Sequence, residues 1–271
     1  MRLALVEDGG RGDITSRVII PAGQKAKAVI RTKENGVVCG LGAAREVFRQ
    51  IDRRIRFSAK VKDGTAVKAG TVIATVSGPA RGILTGERVA LNFLQHLSGI
   101  ATLTRAFVSR VTSRGSRVRI LDTRKTIPGM RVLEKYAVKM GGGVNHRMGL
   151  YDAILIKDNH IKLAGGVVNA IRKAKAEAKA KAKGIEAEAK TIAQVQQAIA
   201  AGADRILLDN MSIRTLRQAV KLCKKAGVKT EASGGVNLNN IAAIAKTGVD
   251  YISVGALTHS ARALDISLKI V

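Results

Sequence analysis

The sequence predicts an α/β protein whose larger part is a barrel of parallel strands alternating with helices. From Val118 onward, short apolar runs recur, each ending in polar or glycine residues and each followed by a helical segment. Strands that alternate with helices pair in parallel through right-handed crossovers. Aromatic residues are only 3% of the chain and tryptophan is absent, so Val, Ile, Leu and Ala must fill the core. Those residues suit strands buried on both faces. Glycine is frequent, 28 of 271 residues, as many tight strand-to-helix turns require.

Taken in order, the residues up to about Gly99 read as short strands and turns. Lys25 to Arg31 alternates as a strand does, and Val37–Cys39 precedes a helix near Gly42–Ile51. Val61–Val76 carries turns at Asp63-Gly64 and Ala69-Gly70 between β-branched pieces. Gly86 to Arg110 reads as a long amphipathic helix broken near Ser98-Gly99. The barrel strands then follow at Val118–Leu121, Ala153–Ile156, Ile185–Ala189, Arg205–Leu208, Val228–Ala232 and Tyr251–Val254. No dinucleotide-type glycine fingerprint follows the first of them, which favours a barrel over an open doubly wound sheet.

Lys and Arg number 47 against 20 acidic residues, a formal net charge of +27. Such an excess raises nucleic acid as a partner, but the charge is spread along the chain and the stacking aromatics are few, so no nucleic-acid partner is expected. The densest run, Lys173 to Lys183, reads as a solvated helix with Glu177 and Lys181 four apart, or else as a polyanion-binding face. Cys39 and Cys223 match no metal or redox spacing and read as reduced thiols. The first residues meet Asp8 and a glycine-rich turn too soon for a signal peptide, and no apolar run reaches spanning length. The expectation is a cytoplasmic protein without a membrane partner.

In parallel barrels the chemistry gathers at the C-terminal strand ends. Here those ends hold Asp122, Thr123, Arg124 and Lys125, then Lys157 to His160, then Asp209-Asn210, Ser233-Gly234-Gly235, and Val254-Gly255-Ala256. Glu186, Glu188 and Lys190 alternate with Ala187 and Ala189, so the three charges share one face and should point into the barrel. Buried ions there need partners or a ligand. The reading is both: ion pairs with Lys157 or Lys125 below, ligand contacts at the mouth. The Ser233–Gly235 and Val254–Ala256 turns fit a backbone phosphate cradle. A cationic set of Arg124, Lys125, His146, Arg147 and Lys157, with Arg88 outlying, faces Glu188 and Asp209. That balance suits substrates with several carboxylates, a phosphate and a metal-bound pyrophosphate. His146 and Arg147, beside Gly141-Gly142-Gly143, read as functional residues in a segment outside the core, or, taken singly, as ordinary turn residues.

Several segments together resemble the quinolinate phosphoribosyltransferase family: EDGGRGDIT (7–15), GERVALNFLQHLSGIAT (86–102), DTRKTIPGMRVLEKYAV (122–138), GGGVNHRMGLYDAILIKDNHI (141–161), LLDNM (207–211), EASGGVN (231–237) and GVDYISVGALTHSARALDISLKI (248–270). The likeness runs in order over nearly the whole chain. It implies an open α/β barrel of the type II phosphoribosyltransferase kind, residues 99–257, beside an N-terminal α/β sandwich of residues 1–98 joined by about 258–271. It implies a homodimer, or a multiple of dimers, in which Arg88 reaches into the partner's site. It further implies Mg²⁺ as cofactor and a reaction joining quinolinate to 5-phosphoribosyl-1-pyrophosphate, with loss of pyrophosphate and CO₂.

By the same likeness Thr123, Arg124, Lys125, His146, Arg147 and Lys157 would hold the quinolinate carboxylates. Glu188 and Asp209 would face ribose and magnesium, the metal held partly through substrate and water. Ser233, Gly234, Gly235, Val254, Gly255 and Ala256 would take the phosphate. Lys125, Glu188 and Asp209 are the expected catalytic residues, Lys125 as the group that assists decarboxylation. Three departures stand out: a shortened leading helix, alanines in the Glu186–Lys190 strand where the family favours valine, and the unusually basic surface.

Overall fold

A computed structural model describes residues 1–112, 117–177 and 184–271. The chain divides into two compact units. Met1–Arg105, Val132–Gly142 and Ala261–Val271 form the first, and Ala106–Arg131 with Gly143–Ser260 the second.

The first unit opens with two helices, α1 (Arg2–Gly9) and α2 (Ile14–Ile19). Asp13, from the EDGGRGDIT segment, is the N-cap of α2: its carboxylate accepts the Ser16 N–H at 2.9 Å and bonds the Ser16 and Thr85 hydroxyls. The Ser16 and Thr85 donors hold the Asp13 pKa below its ordinary value. Replacing Asp13 with Ala should therefore lower stability by about 1 kcal/mol, as cap removals do. A depressed carboxylate pKa contributes stability above its unfolded value and loses it as pH falls through the folded one. The gap between wild-type and Asp13→Ala melting curves should accordingly narrow in acid.

The chain continues through β1 (Lys25–Thr32), β2 (Gly36–Val37), α3 (Leu41–Ile51), β3 (Arg56–Ala59), β4 (Ala66–Val67) and β5 (Val72–Pro79). An antiparallel sheet forms in the order β12-β1-β5-β3, with β12 (Ile266–Ile270) bringing the end of the chain back beside β1. Along β1 the buried positions are Ala28, Ile30 and Thr32, the period of a half-buried strand. On α3 Leu41, Ala44, Val47 and Phe48 form the buried stripe, and Phe48 stacks on Phe57 of β3 at 6.1 Å.

The long helix α4 (Ala80–Thr112) runs unbroken, contrary to the expected break at Ser98-Gly99. The serine hydroxyl is engaged with distant main chain, accepting from the Cys39 N–H at 2.9 Å and donating to the Cys39 carbonyl at 3.1 Å. At Gly99 the Arg262 carbonyl approaches so closely that a Cβ would collide with it. This Ser-Gly pair marks where two other segments pack on the helix, not where the helix ends.

The second unit holds β6 (Arg119–Leu121), β7 (Ile154–Ile156), β8 (Ile185–Ala189), β9 (Arg205–Asp209), β10 (Lys229–Ser233) and β11 (Tyr251–Ser253). The intervening helices are α6 (Asp158–Leu163), α7 (Val167–Glu177), α8 (Ile192–Ala200), α9 (Ile213–Lys225), α10 (Ile241–Ala245) and α11 (Ala256–His259); α5 (Arg131–Met140) lies almost wholly in the first unit. All six strands run parallel in the order β6-β11-β10-β9-β8-β7, so β6 and β7 are edges and the sheet stays open. Leu121 adds one parallel bridge to Val144. Each strand falls within a residue of its expected bounds. The basic run is helical as far as Glu177, and its continuation through Lys181 and Lys183 lies outside the described residues.

No helix among the described residues is long and apolar enough to cross a membrane. Cys39 and Cys223 are both free and buried. Burial and Asp63 push the Cys39 thiol far up, and burial raises Cys223 to about 11, so neither offers a reactive thiolate.

Candidate active site

The C-terminal ends of the parallel strands surround a cavity of about 640 Å³, within the range of small-molecule sites. Of the residues expected from sequence, Thr123, Arg124, Lys125, His146, Arg147, Lys157, Asp209, Ser233, Gly234, Gly235, Val254, Gly255 and Ala256 all line it. Two do not. Glu188 lines a smaller neighbouring hollow with Asp158, Lys162 and Lys190, and Arg88 belongs to the other unit, exposed on α4.

The loop after β6 carries the first cations. Its base is fully buried Asp122, which accepts the His146 N–H and the Asn145 side-chain amide, each at 2.8 Å. Arg131 ties this loop to its neighbour, donating to Thr126 Oγ1 at 3.0 Å and to the Met148 carbonyl at 3.3 Å. Lys125 is exposed; its N–H donates to Thr123 Oγ1 at 3.1 Å, and its carbonyl accepts the Thr258 hydroxyl at 2.7 Å. Gly255 makes room for the lysine stem, since a Cβ there would lie 3.0 Å from Lys125 Cδ.

Arg147 is buried and His146 half-buried, against the expectation of a segment outside the core. Arg147 Nη1 donates to the Ala153 carbonyl at 3.0 Å, and the Arg147 N–H donates to His146 Nδ1 at 2.7 Å. Burial and the nearby Arg124 guanidinium hold the Arg147 pKa below its usual value. Two guanidinium groups that repel each other across a cavity wall favour an anion between them.

The ion-pair partners of β8 also differ from those expected. Glu186 and Glu188 are buried on one strand face as the alternation required, but Glu186 meets His146 Nε2 at 3.1 Å and Arg205 at 3.8 Å rather than Lys125 or Lys157. Arg205 sits opposite Glu186 in register on β9, an edge-to-edge relation the linear sequence does not display. Lys190, expected inside, is half exposed and pairs with Asp158 at 2.9 Å and Glu188 at 3.6 Å.

Glu231 is the main residue overlooked. It lines the cavity, is fully buried, and lies 3.2 Å from Arg205 and 3.5 Å from His146. A signal existed: Glu231 and Ser233 share a face of β10 by the same period-two rule applied to β8. Asn210, His259, Leu155, Leu207, Val236 and Ser253 also line the cavity unassigned.

The turn after β10 is set by backbone geometry. Gly234 has φ 96°, and a Cβ there would strike the Asn210 side chain, itself on a residue with φ 53°. Gly234→Ala is expected to strain this wall by about 1–3 kcal/mol, seen as a raised KM for the phosphorylated substrate.

Two carboxylate groupings are candidates for a cation. His146, Glu186 and Glu231 place ligand atoms within 4.8 Å of one another, but Arg205 already supplies positive charge there. Glu188 is different. Its pKa is raised by burial, then by the negative charges of Asp209 and Asp158, with Lys190 and Lys157 only partly offsetting them. Mutually repelling carboxylates beside an open cavity are hard oxygen donors of the kind Mg²⁺ takes alongside substrate oxygens and water. The residues fit that ion.

An open parallel α/β sheet whose strand ends carry paired arginines, two lysines, glycine turns and carboxylates defines an enzyme for anionic, phosphate-bearing substrates. Comparison with known proteins narrows the class. The family described as quinolinate phosphoribosyl transferase matches with its C-terminal domain over residues 100–269 and its N-terminal domain over 13–98. A probable nicotinate-nucleotide pyrophosphorylase [carboxylating] of Bacillus subtilis is 47% identical over 265 residues, covering 98% of this chain and 90% of that protein. The crystal structure of NadC from Streptococcus pyogenes is 42% identical with a TM-score of 0.94, covering all of this chain and 94% of that one. The nicotinate-nucleotide pyrophosphorylase structure from Francisella tularensis is 44% identical, also with a TM-score of 0.94, covering 100% and 94% of the two chains. The chain belongs to the quinolinate phosphoribosyltransferase family and is a phosphoribosyltransferase.

Proposed function

We propose that the protein joins quinolinate to 5-phosphoribosyl-1-pyrophosphate, forming nicotinate mononucleotide, pyrophosphate and CO₂ in de novo NAD biosynthesis. The single observation that carries this reading is one cavity lined by four cations and two glycine turns, in a chain of this family. Arg124 and Arg147 present planar forks suited to the two carboxylates of the acceptor, and Lys125 and Lys157 add charge around them. Ser233–Gly235 and Val254–Ala256 offer the cradle for the sugar phosphate, with Gly234 and Gly235 both at positive φ so that the main chain turns tightly there.

The mechanism follows from charge. As pyrophosphate leaves, the anomeric carbon gains oxocarbenium character, which the Asp209 carboxylate on the cavity wall stabilises. Glu188, electrostatically coupled to Asp209, strengthens the negative field at that side. Asp209 and Glu188 would hold Mg²⁺, whose charge neutralises the departing pyrophosphate when bound. Positioning then brings the ring nitrogen onto the anomeric carbon. Once that nitrogen is quaternary, the adjacent carboxylate departs as CO₂, and the carbanion left behind is held by the positive nitrogen. Lys125 is assigned to stabilise and protonate that carbon.

A Lys125→Ala variant should form a quinolinate nucleotide faster than it releases CO₂. Decarboxylation at an unchanged rate would reject the lysine's role. The reaction as a whole is tested by incubating purified protein with both substrates and Mg²⁺. Nicotinate mononucleotide should accumulate only when all three are present.

Arg88 is assigned to a second copy's site in a homodimer, a reading supported by its exposure on α4. The free, buried cysteines support a reducing cytoplasmic setting.

A further inference from the structure

We propose that Glu186 and Glu231, with Arg205 between them, are positioning residues that act through His146 to aim Arg147 at the carboxylate of the acceptor substrate. The proposal rests on the function given above and concerns residues that touch no reacting atom.

The geometry is a relay from the barrel interior to the cavity wall. β8, β9 and β10 lie side by side, and their inward positions bring Glu186, Arg205 and Glu231 together. Arg205 Nη1 lies 3.2 Å from Glu231 Oε2 and 3.8 Å from Glu186 Oε2. Its guanidinium is itself fixed, with its central carbon 4.2 Å from the centroid of the Tyr251 ring. The same two carboxylate oxygens lie 3.1 and 3.5 Å from His146 Nε2.

The other imidazole nitrogen is also engaged inside the protein. His146 Nδ1 accepts the Arg147 N–H at 2.7 Å, while the His146 N–H donates to Asp122 Oδ1 at 2.8 Å. Nε2 therefore carries its proton toward the two carboxylates, while Nδ1 faces the Arg147 main chain. Burial favours the neutral ring, but the Glu186 and Glu231 carboxylates outweigh it and raise the His146 pKa to about 9.

Both ring nitrogens are thus spent on holding residues 146 and 147, not on substrate. What the ring holds is the main chain from which Arg147 springs. The Arg147 side chain is pinned at one nitrogen by Ala153, leaving its other donors for an anion. The expected role of His146 as a direct carboxylate ligand becomes a structural tie, and the two glutamates become the anchor of that tie. Each retains an oxygen with no hydrogen-bond partner, Glu186 Oε1 and Glu231 Oε1, so the pair stays buried for its charge rather than for full satisfaction.

The test is Glu231→Gln, which keeps volume and removes charge. Its KM for quinolinate should rise about tenfold, while its KM for phosphoribosyl pyrophosphate stays within about twofold and the melting temperature holds. An Arg205→Met variant should show the same selective pattern and covers the case in which Glu231→Gln misfolds. A merely structural role would lower the melting temperature and the active fraction without separating the two KM values, and that result would overturn the proposal. ¹⁵N spectra of the imidazoles, assigned with His146→Gln, read the state of Nε2 without any turnover. Wild-type His146 ring signals left unchanged in Glu231→Gln would also overturn it. Absent catalysis with His146 ring signals that shift in Glu231→Gln would instead count against the function and leave the relay standing.

Discussion

Replacing Arg147 with Ala is expected to lower kcat/KM for quinolinate by about 30- to 5,000-fold, the range that follows from losing ~2–5 kcal/mol of a buried, charged contact. The residue is 9% exposed, faces the cavity, and is held by the Ala153 carbonyl. The other cations on that wall are more exposed: Arg124 faces solvent, and Lys125 and Lys157 are point charges on flexible stems. Arg147→Lys should recover only part of the loss, because an ammonium cannot both donate to Ala153 and fork onto a carboxylate. Steady-state kinetics with each substrate varied in turn checks this. A loss confined to the phosphoribosyl donor would show that Arg147 serves the other half of the cavity.

The second large effect is on stability. Gly99→Val should destabilise the protein by about 3 kcal/mol or more, since overpacking a tight contact costs 1–3 kcal/mol and a β-branched side chain on this helix cannot rotate away. The colliding atom is the Arg262 carbonyl oxygen, part of main chain that leads into β12. Gln95 Nε2 also donates to the Ile266 carbonyl at 2.8 Å, so a shift at Gly99 would disturb the same seam twice. Thermal unfolding reads the outcome as a drop of about 6–12 °C. A melting temperature unchanged by Gly99→Val would mean that the seam yields easily.

These two residues illustrate what the linear sequence discloses. The six parallel strands were legible because apolar runs ending in charge repeat with helical segments between them, and the cavity residues followed from the rule that strand ends carry the chemistry. Arg147, which ends no strand, was found instead from its place beside Gly141–Gly143 and from the family likeness, although its burial was not. Its environment depends on His146 and Ala153, contacts that are spatial rather than periodic. Gly99 was misread because Ser-Gly inside a helix is locally a breaker, and only the approach of Arg262 and Cys39 explains it. Glu231 and Arg205 were missed for a related reason. One hides in a motif read for its glycines, and the other begins a strand, where a charge passes as solvated. Glu188 was placed on the correct strand face, yet the cavity ends before it.

The central claim is that this cavity couples phosphoribosyl transfer to loss of a carboxylate. Quinolinate labelled in its 2-carboxyl group, incubated with the protein, phosphoribosyl pyrophosphate and Mg²⁺, tests it most directly. One labelled CO₂ should be released for each pyrophosphate formed, with the label absent from the nucleotide. Pyrophosphate without labelled CO₂, or equal turnover of nicotinate in place of quinolinate, would contradict it.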